Sequence, residues 1–185
     1  MELICPTFSA EFLFDRVAAR VAEKLHKSAP NKDWTGTLKS VFGEMAKDVG
    51  QNYVVSSSVH GGEHLFDLAW RQSASCPDIV LCAESEWGNQ DEVLNDFVKL
   101  MNVKAALKVM IFSTNGDDVA RSKMRAAIEG CLRSSVHHIR GEKYLLLNFP
   151  YGLPGMAYCS AYTVPGDGKQ ADIKFEELRQ ARLWD

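Results

Sequence analysis

The stretch Asp78-Ile79-Val80-Leu81-Cys82-Ala83-Glu84-Ser85-Glu86-Trp87 decides how this chain is read. Its unbroken apolar run from Ile79 to Ala83 is short for a helix and reads as a strand central in its sheet, covered on both faces. Successive strand side chains point to opposite faces. Val80, Cys82, Glu84 and Glu86 are therefore expected on one face, and Ile79, Leu81, Ala83 and Ser85 on the other. An apolar run thus ends in two carboxylates on one face, roughly 7 Å apart at ~3.4 Å per residue. Gly88-Asn89 breaks the strand.

Upstream, Tyr53–Val59 and His64–Trp70 read as two more strands, joined as a hairpin through a turn at His60-Gly61-Gly62-Glu63. A loop follows through Ser75-Cys76-Pro77. Two helices come first. One runs from about Ser9 to Ser28 with Phe14, Val17, Ala18, Val21, Ala22 and Leu25 on one face, stopped at Ala29-Pro30-Asn31. The other runs from Asp33 to Val49 with Leu38, Val41, Phe42 and Met45 inward and Gly50 as its C′ residue. Downstream, the periodicity predicts a helix from Asp91 to about Val103, a strand Leu107–Ser113, a helix Asp117–Leu132 that Gly130 helps to stop, and a strand Tyr144–Phe149. The tail reads as a strand from Met156 to Thr163, a turn at Pro165-Gly166-Asp167-Gly168, and a short charged helix from about Ile173. The order α-α-β-β-β-α-β-α-β predicts an α/β fold, a three-layer mixed sheet with helices on its faces, in one domain spanning 1–185.

Composition agrees with that frame. The chain has 185 residues, 46% hydrophobic and 24% charged, which excludes a disordered chain, a collagen-like chain and a small disulfide scaffold. A formal net charge of −3 excludes a strongly basic nucleic-acid binder but leaves room for a local basic groove. The five cysteines (Cys5, Cys76, Cys82, Cys131 and Cys159) are odd in number, widely spaced and without a CxxC pair. They read as reduced thiols in a cytoplasmic protein, without zinc-ligand spacing. The first residues lack a basic n-region and no run of 18 apolar residues occurs, so neither a signal peptide nor a membrane span is expected.

On the second of the three strands, Asp67 stands between Phe66 and Leu68, an acid within an apolar segment. Neighbouring strands lie about 4.8 Å apart, so a suitable register brings Asp67, Glu84 and Glu86 together at one end of the sheet. Close carboxylates repel, and desolvation penalises each charge. A hard divalent cation such as Mg²⁺ relieves both with oxygen ligands. The competing reading is a set of exposed acids at strand ends, each paired with Lys or Arg.

This arrangement resembles the PD-(D/E)xK nuclease superfamily, the restriction-endonuclease-like fold. That core is α-β-β-β-α-β, with an Asp on its second strand and (E/D)-x-K on its third. The resemblance covers roughly Ser9 to Ser113. Asp67 matches the first acid and Glu84 the second. Glu86 stands where the lysine is usual, a departure that some restriction enzymes share as E-x-E. Elsewhere in the superfamily the lysine moves to the following helix, where Lys99 stands here. Asp96 and Glu92 share the polar helix face of Lys99. The segment from Glu84-Ser85-Glu86-Trp87-Gly88 through Lys99-Leu100 also resembles divergent bacterial proteins of this fold.

The resemblance implies Asp67 and Glu84 as ligands of Mg²⁺ or Mn²⁺. It implies Glu86 as a third ligand or as the group that orients and deprotonates a water. Lys99 becomes the stabiliser of charge on phosphorus. The implied function is a metal-dependent nuclease hydrolysing nucleic-acid phosphodiester bonds, with DNA as the favoured partner, cytoplasmic and off the membrane. A homodimer stays open, because double-strand cutting generally needs two active sites. The alternative is a catalytically inactive nuclease-fold protein serving as an interaction or assembly module, with the E-x-E departure as the mark of decay. A small-molecule-binding α/β domain is the third reading.

Other constellations are weaker. His60-Gly61-Gly62-Glu63-His64 is not HExxH and reads as a hairpin tip. Arg121, Lys123 and Arg125 form a basic cluster that can contact nucleic-acid phosphates, or stand as solvated surface. Arg133, His137, His138, Arg140 and Lys143 form a second. Cys82 reads as core, since a nearby acid raises a thiol's pKa. Trp34, Trp70 and Trp87 read as core or sheet-end packing rather than a base-stacking stripe.

Overall fold

A computed structural model of the protein describes residues 9–25, 30–48, 54–56, 66–72, 78–139, 141–150, 155–165 and 173–184. Helices α1 (Ala10–Lys24) and α2 (Asn31–Asp48) precede strands β1 (Val54–Ser56), β2 (Leu68–Arg71) and β3 (Ile79–Glu86). Then come α3 (Gln90–Met101), β4 (Ala105–Phe112), α4 (Asp118–Ser134), β5 (Lys143–Asn148), β6 (Met156–Thr163) and β7 (Lys174–Arg182). The predicted hairpin tip from His60 to His64, the loop at Cys76, Gly50, and Gly166 to Gly168 of the tail turn lie outside the described residues, as do Cys5 and Arg140.

The seven strands form one mixed sheet in chain order, β1-β2-β3-β4-β5-β6-β7. β3, β4 and β5 run parallel, and the remaining neighbours pair antiparallel. Parallel neighbours need a crossover, which α3 and α4 supply. Their apolar stripes give Val93, Phe97, Leu100, Met124 and Ile128, which pack with Cys82, Met110 and Leu146 on one sheet face. From α1 and α2, Phe14, Val17, Leu38 and Phe42 pack with Leu81, Ala83, Val109 and Leu145 on the other. The chain is therefore of the mixed α/β class, with helices on both faces.

The helix starts follow local chemistry. The Ser9 hydroxyl accepts from the Phe12 amide at 3.1 Å at the head of α1. Asn89 and Glu92 form a reciprocal capping box at α3. Asp117 accepts from the amides of Val119 and Ala120 at α4.

Four expectations change. The charged helix from Ile173 is instead the edge strand β7. Phe175, Leu178 and Ala181 recur every three residues, which reads as helical. A bulge absorbs that spacing: Ser160 pairs with Glu177 and Cys159 with Arg179, so Leu178 is the extra residue. Phe175 consequently packs on the α3/α4 side, and Leu178 and Ala181 on the α1/α2 side. A second irregularity, between Trp70 and Arg71 against Leu81 and Ile79, breaks the alternation expected in β3. Val80 packs on the α1/α2 side while Cys82 faces α3 and α4. Gly130 does not stop α4, which runs on to Ser134 because Leu132 still has a buried site to fill. Finally, Phe66 and Asp67 form a bend, and β2 begins only at Leu68.

Candidate functional site

β2 and β3 bring the two principal acids together. Leu68 pairs with Ala83, so one further step of the antiparallel register sets Asp67 across from Glu84. The Asp67 amide donates to Glu84 Oε2 at 3.1 Å. In return, Asp67 Oδ2 accepts from the Ser85 amide at 3.0 Å and the Ser85 hydroxyl at 2.7 Å. The backbone bend at Asp67 is thus held by the side chains that the apolar run of β3 delivers to its carboxyl end.

Two lysines flank the pair. Lys99, on α3, places Nζ 3.9 Å from Glu84 Oε1 and 2.5 Å from Asp96 Oδ1. Its ammonium pKa is raised, chiefly by the Asp96 hydrogen bond. Lys39, on α2, places Nζ 3.0 Å from Asp67 Oδ1. The side chain of Lys39 is only 13% exposed. Sequence reading missed Lys39. Its neighbours Leu38 and Phe42 mark the buried face of α2, but only the docked helix shows that the lysine tip reaches across to β2.

Glu84 is the most perturbed group of the set. It is 5% exposed, and its Oε1 has no hydrogen-bond partner. Burial, followed by the charge of Asp67, pushes its carboxyl pKa up to about 7. Glu86 takes another course. Its Oε1 accepts from the amides of Trp87 at 2.8 Å and Gly88 at 2.7 Å, so the side chain closes its own turn. Among the described residues, no group of three or more His, Cys, Asp or Glu side chains is arranged to hold a metal ion. Below the strand end, Trp34 packs at 5.0 Å from Trp87 and 5.7 Å from Trp184, and the Trp87 indole donates to Thr35 Oγ1 at 3.1 Å. Trp34, Trp87 and Trp184 pack at the sheet end, with Trp184 as the member that the sequence did not single out, while Trp70 packs in the core with its ring 6.1 Å from Phe42.

Other sequence candidates lie elsewhere. Arg121 and Arg125 on α4 pair with Glu177 of β7. That places them beside β6 and β7, three or more strands from Glu84 in the sheet order. Lys123 is exposed on α4. Cys82 is buried, and burial pushes its thiol up to about 12. His138 leaves the basic cluster and turns inward. Its Nε2 donates to the Leu132 carbonyl at 2.7 Å and its Nδ1 meets Glu142 Oε1 at 2.8 Å. Glu142 Oε1 also accepts from the Tyr144 hydroxyl at 2.8 Å, and Lys108 donates to Glu142 Oε2 at 2.5 Å. This buried network was missed in sequence, although a lysine within Ala105-Ala106-Leu107-Lys108-Val109-Met110 is a signal for a buried carboxylate partner.

No family model matches the chain. None of the curated proteins matches it either. Two adjacent carboxylates, one of them buried with an oxygen that makes no hydrogen bond, form a pair suited to a hard cation or a proton, with Lys39 and Lys99 beside them. No helix among the described residues is long and apolar enough to cross a membrane.

Proposed function

We propose that the protein is a metal-dependent nuclease that hydrolyses nucleic-acid phosphodiester bonds, built on a restriction-endonuclease-like core. The observation that carries the reading is the placement of Asp67 across from Glu84 at the carboxyl end of β3, with Glu84 Oε1 buried and without a hydrogen bond. The element order α2-β1-β2-β3-α3-β4 supports it, since that is the order of the superfamily core.

The donor set fits Mg²⁺ or Mn²⁺. Mg²⁺ is commonly bound through one or two carboxylates and keeps several waters. Asp67 and Glu84 would hold it, and an ion there satisfies the orphan oxygen of Glu84. The chemistry such an ion supplies when bound is polarisation of a phosphate oxygen and acidification of a water. The chain's own residues do the remainder. Glu84, with a pKa near 7, sheds its proton when a cation takes the site. Lys99, 53% exposed beside Glu84, faces solvent where a phosphate approaches and stabilises charge that builds on it. Lys39 neutralises Asp67 from the opposite side and fixes its carboxylate against β3. Ser85 orients Asp67 through its amide and hydroxyl.

A second reading, an inactive nuclease-fold interaction module, draws on one observation. Glu86, at the position usual for a lysine, is engaged with its own turn. A cleavage assay on single- and double-stranded DNA and RNA with Mg²⁺ or Mn²⁺ separates the two. The nuclease reading expects metal-dependent cleavage that falls by at least about 100-fold in Asp67→Ala and Glu84→Ala, with circular dichroism unchanged. Folded wild type that neither cleaves any of these substrates nor binds Mn²⁺ leaves the interaction module.

A further inference from the structure

A cleft of about 570 Å³ runs between α4 and strands β6 and β7, extends across Leu146 and Asn148 of β5 to Phe112 of β4, and reaches round the edge strand to Asp15 and Arg179. On its α4 side, Arg121 and Arg125 stand one helical turn apart and lean the same way. The guanidinium of Arg121 lies 4.0 Å from the centre of the Tyr158 ring, and that of Arg125 lies 4.8 Å from the centre of Phe175. Asp118 holds Arg121 from behind, accepting from Nε at 3.3 Å and Nη2 at 3.1 Å. The Nη1 groups of both arginines then converge on one oxygen, Glu177 Oε1, at 3.6 and 3.5 Å. Both separations exceed the ~2.7–2.9 Å of a charge-assisted hydrogen bond. The Glu177 side chain is 61% exposed, on the outermost strand.

We propose that this cleft binds a phosphate monoester, the terminal phosphate of a free nucleotide or of a nucleic-acid strand, which Arg121 and Arg125 grip in place of Glu177. A guanidinium stacked on an aromatic ring keeps its in-plane N–H groups for an oxyanion, in the fork that phosphate matches. The ring contacts already restrict both side chains, so little further ordering is needed on binding. Glu177 Oε1 marks where a phosphate oxygen sits. A phosphate carries nearly two negative charges, against the single charge of a carboxylate, and so answers both arginines. Displacing Glu177 costs little, because its carboxylate moves into water beside an exposed edge strand. The cavity falls within the range of about 300–1,000 Å³ usual for small-ligand sites. The arginine pair stands beside β6 and β7, three strands from β3 in the sheet order, and it uses neither Asp67 nor Glu84, so the proposal does not rest on the nuclease reading.

Isothermal titration calorimetry of the whole chain in EDTA tests it, since chelation silences any metal at Asp67 and Glu84. The probes are AMP, ribose 5-phosphate, adenosine, and one single-stranded oligonucleotide with and without a 5′-phosphate. The expected result is saturable binding that depends on the phosphate. It weakens about tenfold in Arg121→Lys and Arg125→Lys, which keep the charge and lose the fork. It tightens several-fold in Glu177→Gln, which removes the competing carboxylate. Preference for AMP identifies a free nucleotide as the source, and preference for the phosphorylated oligonucleotide identifies a strand end. Three results overturn the proposal: no binding by both wild type and Glu177→Gln, equal binding with and without the phosphate, or affinity that both lysine variants leave unchanged.

Discussion

Glu84 shows how far a single carboxyl is altered by where the fold puts it. Burial and the neighbouring Asp67 raise its pKa from an ordinary 4.5 to about 7. In the unfolded chain the same group has released its proton by about pH 5. Between there and pH 7 the folded protein holds the extra proton, so its stability falls as pH rises through this window and levels off above it. Glu84→Gln keeps the acceptor for the Asp67 amide without the charge. In EDTA, the variant is expected to lose that pH dependence and to exceed wild type at pH 8 by up to about 3 kcal/mol. Urea unfolding from pH 5 to 8 measures it, and parallel wild-type and variant profiles would contradict the buried-charge account. At this scale the sequence was informative about which acids matter. Asp67 was legible as an acid within an apolar segment, Glu84 as an acid at the end of one, and Lys99 through the resemblance to the nuclease superfamily, and the structure brings the three together. Lys39 was not legible, because the tip of a lysine on one helix meets a strand residue only after the helix docks.

At the scale of the element, the turn from β3 into α3 is held by side chains from both of its ends. Glu86 closes the turn through the Trp87 and Gly88 amides, and Glu92 returns to the Asn89 amide at 2.9 Å. A Cβ on Gly88 would stand 1.7 Å from Glu92 Oε2 and 3.0 Å from Glu86 Oε1. The flexible Glu92 must then release the cap. Gly88→Ala is expected to cost about 1 kcal/mol, the worth of a helix cap. For a chain of this size that is a fall of roughly 2–4 °C in Tm. Calorimetry checks it, with Glu92→Ala as the partner: if the clash acts through the cap, Gly88→Ala adds little further loss in that background. β7 teaches the opposite lesson. Its three-residue apolar spacing favoured a helix locally, and the unpaired edge of β6 decided for a strand, with a bulge at Leu178 reconciling the two.

Across the whole molecule, the two ends of the parallel strands carry different charge arrangements. The carboxyl end of β3 holds the Asp67–Glu84 pair with an unsatisfied oxygen. Toward the amino ends of β4 and β5, Lys108, Glu142, Tyr144 and His138 form a closed network. It draws in the Met101 carbonyl at the end of α3 and the Leu132 carbonyl near the end of α4. Lys108 is 1% and Glu142 2% exposed, so neither charge has water to fall back on. Lys108→Ala and Glu142→Ala are each expected to destabilise by about 3–5 kcal/mol, because each leaves a buried partner alone. The double variant should lose clearly less than their sum. Equilibrium unfolding of the four proteins reads this directly, and additive losses would show that the two side chains act independently.

Sequence by itself determined the elements through β6 and their order, because apolar periodicity and cap residues act within a few positions of the chain. It also determined that two acids close the central apolar strand. Tertiary structure alone decided the path of β7, the face taken by Val80, the inward turn of His138 and the reach of Lys39 to Asp67. Each of these depends on a partner distant in sequence, and strand pairing or burial supplies an energy that local propensity does not contain. The buried oxygen of Glu84 belongs to the same class. A carboxylate's type is written in the chain, but its solvation is set only by what packs around it.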